Sequence, residues 1–175
     1  MERNEIIVGR TVFLRSILEE SKPEMKAMLT SNEIKKTYML PDFSSEEELD
    51  KYFYRLKSIT ENKDKFVYGI YLKDTLIGFL NEVDKKEDCM ELGYFIDPHY
   101  WGHGYASEAL MIAIEELFRI GINTVKTAYF EGNKASERVM QKCGMTLTSE
   151  TEYIEYRGQK LKAIYYQIDK DNLIN

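Results

Sequence analysis

The sequence predicts an α/β (α+β) fold: a mixed, mostly antiparallel twisted sheet flanked by helices. Short connections at Lys73-Asp74 and Arg157-Gly158-Gln159 each join two apolar, alternating runs, the pattern of a hairpin. The stretch from Ala106 to Leu117 has helical spacing throughout, with Ala106, Ala109, Leu110, Ala113, Ile114 and Leu117 on one face. Strand-like and helix-like stretches alternate with no internal repeat and no low-complexity linker. With 175 residues the chain fits one domain, taken as 1–175, and suffices for a proper core.

In chain order, Ile6 to Ile17 reads as a first strand, with Val12 and Leu14 facing one way and Thr11, Phe13 and Arg15 the other. Ser21-Lys22-Pro23-Glu24 opens a helix, since proline suits the first turn, and Met25, Met28 and Leu29 share its face. Ser45 followed by Glu48 is a capping-box pattern that starts a second helix carrying Leu49, Tyr52, Phe53, Leu56 and Ile59. The apolar loop Tyr38 to Phe43 lies between them. Strands follow at Phe66–Leu72, Thr75–Val83 and Glu91–Ile96, with Asp84 to Asp88 as an exposed charged loop. After the helix that Gly121 ends come a strand at Thr124–Phe130 and a helix at Lys134–Cys143 stopped by Gly144. A terminal hairpin pairs Glu152–Tyr156 with Leu161–Ile168.

Composition narrows the function classes. A hydrophobic content of 43% with 31% charged residues is that of a globular protein, and a net charge of −6 argues against general nucleic-acid binding. No apolar run approaches the ~20 residues of a membrane span and the N-terminus has no signal core, so the expected location is cytoplasmic, with no membrane partner. Cys89 and Cys143 have neither CxxC spacing nor a histidine pair nearby, so no metal site and no disulfide are expected. His99 and His103, which flank Trp101, are expected to sit exposed.

The chemistry concentrates between Glu91 and Ser107. A strand stops at Asp97-Pro98, and Trp101-Gly102-His103-Gly104-Tyr105-Ala106 leads directly into a helix. Glycines allow close backbone approach, and the helix start offers unpaired N–H groups and a positive dipole end, which together suit an anion such as phosphate. A dinucleotide fingerprint fails because the preceding strands look antiparallel, and a P-loop fails because no Gly-Lys-Ser/Thr closes the loop.

Three ordered pieces carry a family resemblance: Glu91-Leu92-Gly93-Tyr94-Phe95-Ile96-Asp97-Pro98, Trp101-Gly102-His103-Gly104-Tyr105-Ala106-Ser107-Glu108-Ala109, and Asn133 to Ser136 running on to Lys142-Cys143-Gly144-Met145. Together they resemble the GNAT superfamily of acetyl-CoA-dependent N-acetyltransferases, and within it the RimJ/RimL-like (ribosomal-protein-serine/alanine acetyltransferase type) branch. Tyr156-Arg157-Gly158-Gln159 with Tyr165-Tyr166 resembles the same branch. The resemblance implies a GNAT fold whose central strands splay to hold acetyl-CoA.

Position by position, it implies that the amides from Trp101 and Gly102 through His103, Gly104, Tyr105, Ala106 and Ser107 grip the CoA pyrophosphate. Trp101 stands where the family usually has Gln or Arg, and its indole has one donor and no charge. Tyr94, Phe95 and Ile96 would offer backbone to the pantetheine arm, Asn133 would bond that arm near its amides, and Ser136 would also contact the cofactor. Glu91 is the expected base for the amine proton, with Glu82 in reserve. Met140 occupies the position where many members carry an acidic tyrosine, so Ser136 is the expected acid. Lys134 and Arg138, one turn apart, could meet a CoA phosphate. The implied reaction is direct attack of a primary amine on acetyl-CoA in a ternary complex, without an acyl-cysteine. The acceptor classes are a protein N-terminus, a polyamine or another small amine, and a homodimer is compatible. The alternative is a CoA-binding or regulatory module of the same fold without transfer activity.

Overall fold

The computed structural model describes residues 1–173, in which eight strands form one sheet flanked by five α-helices. The first expected strand is instead a hairpin of β1 (Ile7–Val8) and β2 (Val12–Arg15), because Gly9 N donates to Val12 O at 2.9 Å and turns the chain. Helix α1 (Lys22–Leu29) has Pro23 in its first turn. A four-residue helix, α2 (Asn32–Lys35), capped by Ser31 Oγ, lies where no helix was expected, because one turn shows no periodicity. Helix α3 (Glu46–Glu61) is capped by Ser45 Oγ, which accepts from Glu48 N at 3.2 Å. The Glu48 carboxylate reaches back to Ser44 rather than to Ser45, at 2.7 Å.

Strands β3 (Val67–Leu72), β4 (Thr75–Lys86) and β5 (Cys89–Ile96) form an antiparallel meander. The charged segment expected as a loop is mostly strand, and only Glu87-Asp88 turns. Lys73, Glu87 and Arg157 take positive φ values of 53°, 52° and 51° at the first position of their two-residue turns. That left-handed start matches the twist of a hairpin, which is why non-glycine residues are tolerated there. Helix α4 (Tyr105–Arg119), strand β6 (Thr124–Phe130) and helix α5 (Lys134–Lys142) follow, and β7 (Thr146–Tyr156) and β8 (Gln159–Asp169) close the chain.

The eight strands run β1-β2-β3-β4-β5-β6-β8-β7, and every neighbouring pair is antiparallel except β5–β6. That parallel pair has rungs only from Cys89↔Thr124 to Leu92↔Thr127, although the two strands continue to Ile96 and Phe130. Beyond Leu92 the strands part. Two apolar clusters cover the sheet faces. One packs Leu110, Leu117 and Met140 of α4 and α5 against Leu92 and Val125, and the other packs Met25, Leu29 and Phe53 of α1 and α3 against Phe79 and Phe95. Each fully buried Leu or Phe contributes about 1.5–3 kcal/mol, so the sheet is held rigid from both sides where it opens. Among the described residues no helix is long and apolar enough to cross a membrane.

Candidate active site

The parting of β5 from β6 leaves backbone unpaired, and the register says which groups. Asp97 N donates to Ile77 O at 2.8 Å, so the odd residues of this part of β5 bond to β4. In an antiparallel ladder the alternate residues point the other way. The backbone of Tyr94 and Ile96 therefore faces the gap, while that of Phe95 is spent on β4. Of the three residues expected to offer main chain, Tyr94 and Ile96 turn theirs toward the gap and Phe95 does not. The Ile96 carbonyl is already taken by Trp101 Nε1 at 2.7 Å. The one donor of the indole thus fastens the loop to the strand end, in place of a charged side chain aimed at an anion.

The loop then turns on two left-handed glycines, Gly102 at φ 81° and Gly104 at φ 83°. A Cβ at either position would meet nothing within 4 Å, so glycine is required there by backbone conformation, beside open space. Gly104 is the N-cap residue of α4, and the first helical bond runs from Glu108 N to Gly104 O at 3.0 Å. The amides of Tyr105, Ala106 and Ser107 therefore have no acceptor inside the helix.

Helix α5 forms the facing wall. Asn133 caps it: Oδ1 accepts from Ser136 N at 3.3 Å, and Nδ2 donates to Ser136 Oγ at 3.0 Å. Both residues expected to touch a cofactor are thus joined to each other. A cleft of about 440 Å³ collects Tyr94, Phe95, Ile96, Trp101, Gly102, Gly104, Tyr105, Ala106, Ser107, Asn133 and Ser136. His103 does not line it; its ring stacks on Tyr105 at 5.5 Å on the exposed side. His99 is exposed beside Asp97, at 2.8 Å.

Sequence reasoning missed part of the lining. Arg138 and Lys142, one turn apart on α5, both border the cleft and have no ion-pair partner among the described residues. Lys134, named with Arg138 from the sequence, instead pairs with Glu137 at 2.8 Å. Both pairs are spaced i, i+4, so spacing alone does not choose between them. Ile34 and Thr37 also line the cleft, and no motif signals them.

Glu91 lies elsewhere. It sits on the rung Glu91↔Lys126, in the still-paired part of the strands, and its side chain points to the face that carries Phe95, away from α5. It is half-buried and has no hydrogen-bond or ion-pair partner among the described residues, since Lys126 is occupied by Glu150 at 2.5 Å. Burial, followed by the Asp84, Glu150 and Glu152 carboxylates, pushes the Glu91 carboxyl above its ordinary range, and Lys126 offsets part of this. Glu82, the reserve, is committed: Lys65 Nζ holds one oxygen at 2.7 Å and Phe66 N the other at 2.9 Å.

A second cavity of about 270 Å³ opens on the same face of the sheet as Glu91, which lines neither cavity. Tyr38, Tyr52, Phe79 and Phe95 give it an aromatic wall, and Phe95 borders both cavities. Cys143 is buried, with Sγ donating to Ser107 O at 3.3 Å, and burial pushes its thiol up to about 12. Such a thiol is not a nucleophile near neutral pH.

Comparison with known proteins places this arrangement. Residues 11–146 match the family described as Acetyltransferase (GNAT) domain. Over 138 residues, 76% of this chain and 78% of the relative, the sequence is 27% identical to the uncharacterized N-acetyltransferase YoaA of Bacillus subtilis (strain 168). The fold is shared with the RimL ribosomal L7/L12 alpha-N-protein acetyltransferase in complex with coenzyme A, with a TM-score of 0.80, 22% identity and coverage of 96% of this chain and 99% of that one. It is also shared with the microcin C7 self immunity acetyltransferase MccE in complex with acetyl-CoA and AMP, with a TM-score of 0.77, 18% identity and coverage of 91% and 93%.

Proposed function

The chain belongs to the GNAT acetyltransferase domain family, and on that premise we propose that it transfers an acetyl group from acetyl-CoA to a primary amine by direct attack in a ternary complex. The observation that carries this is a single one: the unpaired edge of β5 and the two-glycine turn open into the same cleft. RimL and MccE, which share the fold, are described with CoA and with acetyl-CoA respectively.

The residues present fit that ligand. The amides of Tyr105, Ala106 and Ser107 and the space above Gly102 and Gly104 suit a diphosphate. Arg138 and Lys142 add positive charge at the same wall. The free backbone of Tyr94 and the Ile96 amide suit the amides of a pantetheine arm. Acetyl-CoA supplies an acyl group on a sulfur leaving group. Ser136 is the proton donor on the α5 side, because its oxygen accepts from Asn133 and its own hydrogen remains free.

The acceptor approaches from the opposite face. An amine with a pKa of about 10 is mostly protonated near neutral pH and must lose a proton before attack. Glu91, half-buried, unpaired and raised in pKa, receives that proton directly or through a water. The second cavity is aromatic, and its one carboxylate, Glu82, is neutralised by Lys65. These features favour an amine carried beside an apolar group, as at a protein N-terminus, over a polyamine. The work is done in the cytoplasm, where acetyl-CoA and such acceptors coexist. An acceptor screen tests this reading: peptides with apolar first residues and polyamines are incubated with acetyl-CoA, and products are followed by mass spectrometry. Acetylated peptide is expected; exclusive acetylation of polyamines would reverse the acceptor assignment.

A further inference from the structure

Among the described residues four buried side-chain polar atoms lack a hydrogen-bond partner, and two of them, Tyr94 Oη and Thr127 Oγ1, lie on the α5 face where β5 and β6 part. Thr127 occupies the last rung, opposite Leu92, and Tyr94 is the next residue of β5 on the same face. A buried unpaired hydroxyl is unfavourable, so a pair of them at one junction marks a place where polar chemistry is completed. Tyr94 borders the cleft that also holds Ser136, and its phenol lies beside the Ser136 side chain. A formed bond between them is not seen; Ser136 Oγ is engaged by Asn133 Nδ2 at 3.0 Å.

Ser136 Oγ has two acceptor sites and one hydrogen. Asn133 fills one acceptor site. We propose that Tyr94 is a positioning residue for acetyl transfer: with the cleft loaded, its phenol, unpartnered in the free protein, fills the second acceptor site of Ser136 and so leaves the serine hydrogen one direction, toward the thioester sulfur. As the carbon–sulfur bond of a bound thioester breaks and its electron pair goes to sulfur, Ser136 would pass its proton to that sulfur while taking one from water, which receives the proton shed by the attacking nitrogen. Tyr94 and Asn133 both donate to the serine oxygen throughout. Tyr94 gives up no proton in this scheme. Burial raises its phenol well above the ordinary value, which keeps it a permanent donor, and the nearby Ser136 offsets part of that rise.

This inference rests on the acetyl-transfer reading above, and its test separates the two. Bound CoA is titrated by its thiolate absorbance in wild-type protein and in Tyr94→Phe, a readout that needs no turnover. With Tyr94 aiming Ser136 at the sulfur, Tyr94→Phe is expected to raise the bound thiol pKa by about one unit, a tenfold shift of its ionisation equilibrium. CoA affinity by calorimetry should stay within about twofold, and the melting temperature should not fall, since the lost hydroxyl has no partner in the folded protein. In turnover, Tyr94→Phe should lower kcat without raising the KM for acetyl-CoA, and adding it to Ser136→Ala should cost nothing further, as for residues acting as a unit. An unshifted bound thiol pKa, or losses that multiply in the double variant, overturns the role of Tyr94. Failure of the wild-type protein to bind CoA overturns the cofactor reading itself, and this inference with it.

Discussion

Ser136 and Glu91 face opposite sides of one sheet, and this division suits a reaction with a proton to add on one side and a proton to remove on the other. Ser136→Ala removes the donor and leaves the glycine cradle intact. Turnover should fall by about 100-fold, in the range typical of a lost general acid, with CoA affinity changed far less. Single-turnover rates and calorimetry on the same samples check the split. For Glu91 the sign follows from its surroundings. A base must be ionised to work, and its carboxyl is raised first by burial and then by Asp84, Glu150 and Glu152, so the acid limb of the rate profile lies above that of an ordinary glutamate. Glu91→Gln should therefore depress kcat/KM most between that raised pKa and the pKa of the amine. The difference should shrink at lower pH, where wild-type Glu91 is itself protonated, and at higher pH, where the amine needs no base. A ratio of wild-type to variant that is flat across pH would remove Glu91 from the base role.

In the proposed function, the turn from Trp101 to Gly104 and the first turn of α4 form the element that would hold the anion. Gly104→Glu places a side chain at φ 83°, a conformation costing about 1–3 kcal/mol outside glycine, and it sets a negative charge at the helix start. CoA binding should be lost in calorimetry while far-ultraviolet dichroism still reports the fold, with the melting temperature lowered by a few degrees. On α5, combined Arg138→Ala and Lys142→Ala should weaken CoA binding and flatten its dependence on salt, because paired charges lose strength as salt screens them. This element was legible in sequence because its signals are local: two glycines, a proline stop and a periodic helix. The basic pair was not, because choosing Arg138 and Lys142 over Lys134 depends on which cation finds Glu137, a matter of side-chain contact. The role of Trp101 was hidden for the same reason, since its partner is a backbone carbonyl exposed only by strand parting. The turn at Glu87-Asp88 carries no glycine, so the end of β4 was not placed from composition, whereas Arg157-Gly158 marked the end of β7 at Tyr156.

At the scale of the molecule, alternating apolar runs revealed the sheet, but not that β5 and β6 pair through only four rungs. That opening depends on which strands become neighbours across the chain, and it creates the cleft. In the proposed reaction one face, under α4 and α5, would receive the cofactor and the other, under α1 to α3, the acceptor, and Phe95 borders both cavities. The fold alone does not select an acceptor, since RimL and MccE share it under quite different descriptions. The central claim, that this opening carries acetyl transfer from CoA to an amine, is tested most directly by thiol release from acetyl-CoA across an amine panel, with CoA binding measured in parallel. The account predicts amine-dependent thiol release in the wild-type protein and none in Gly104→Glu. Tight CoA binding with no thiol release on any amine would contradict it.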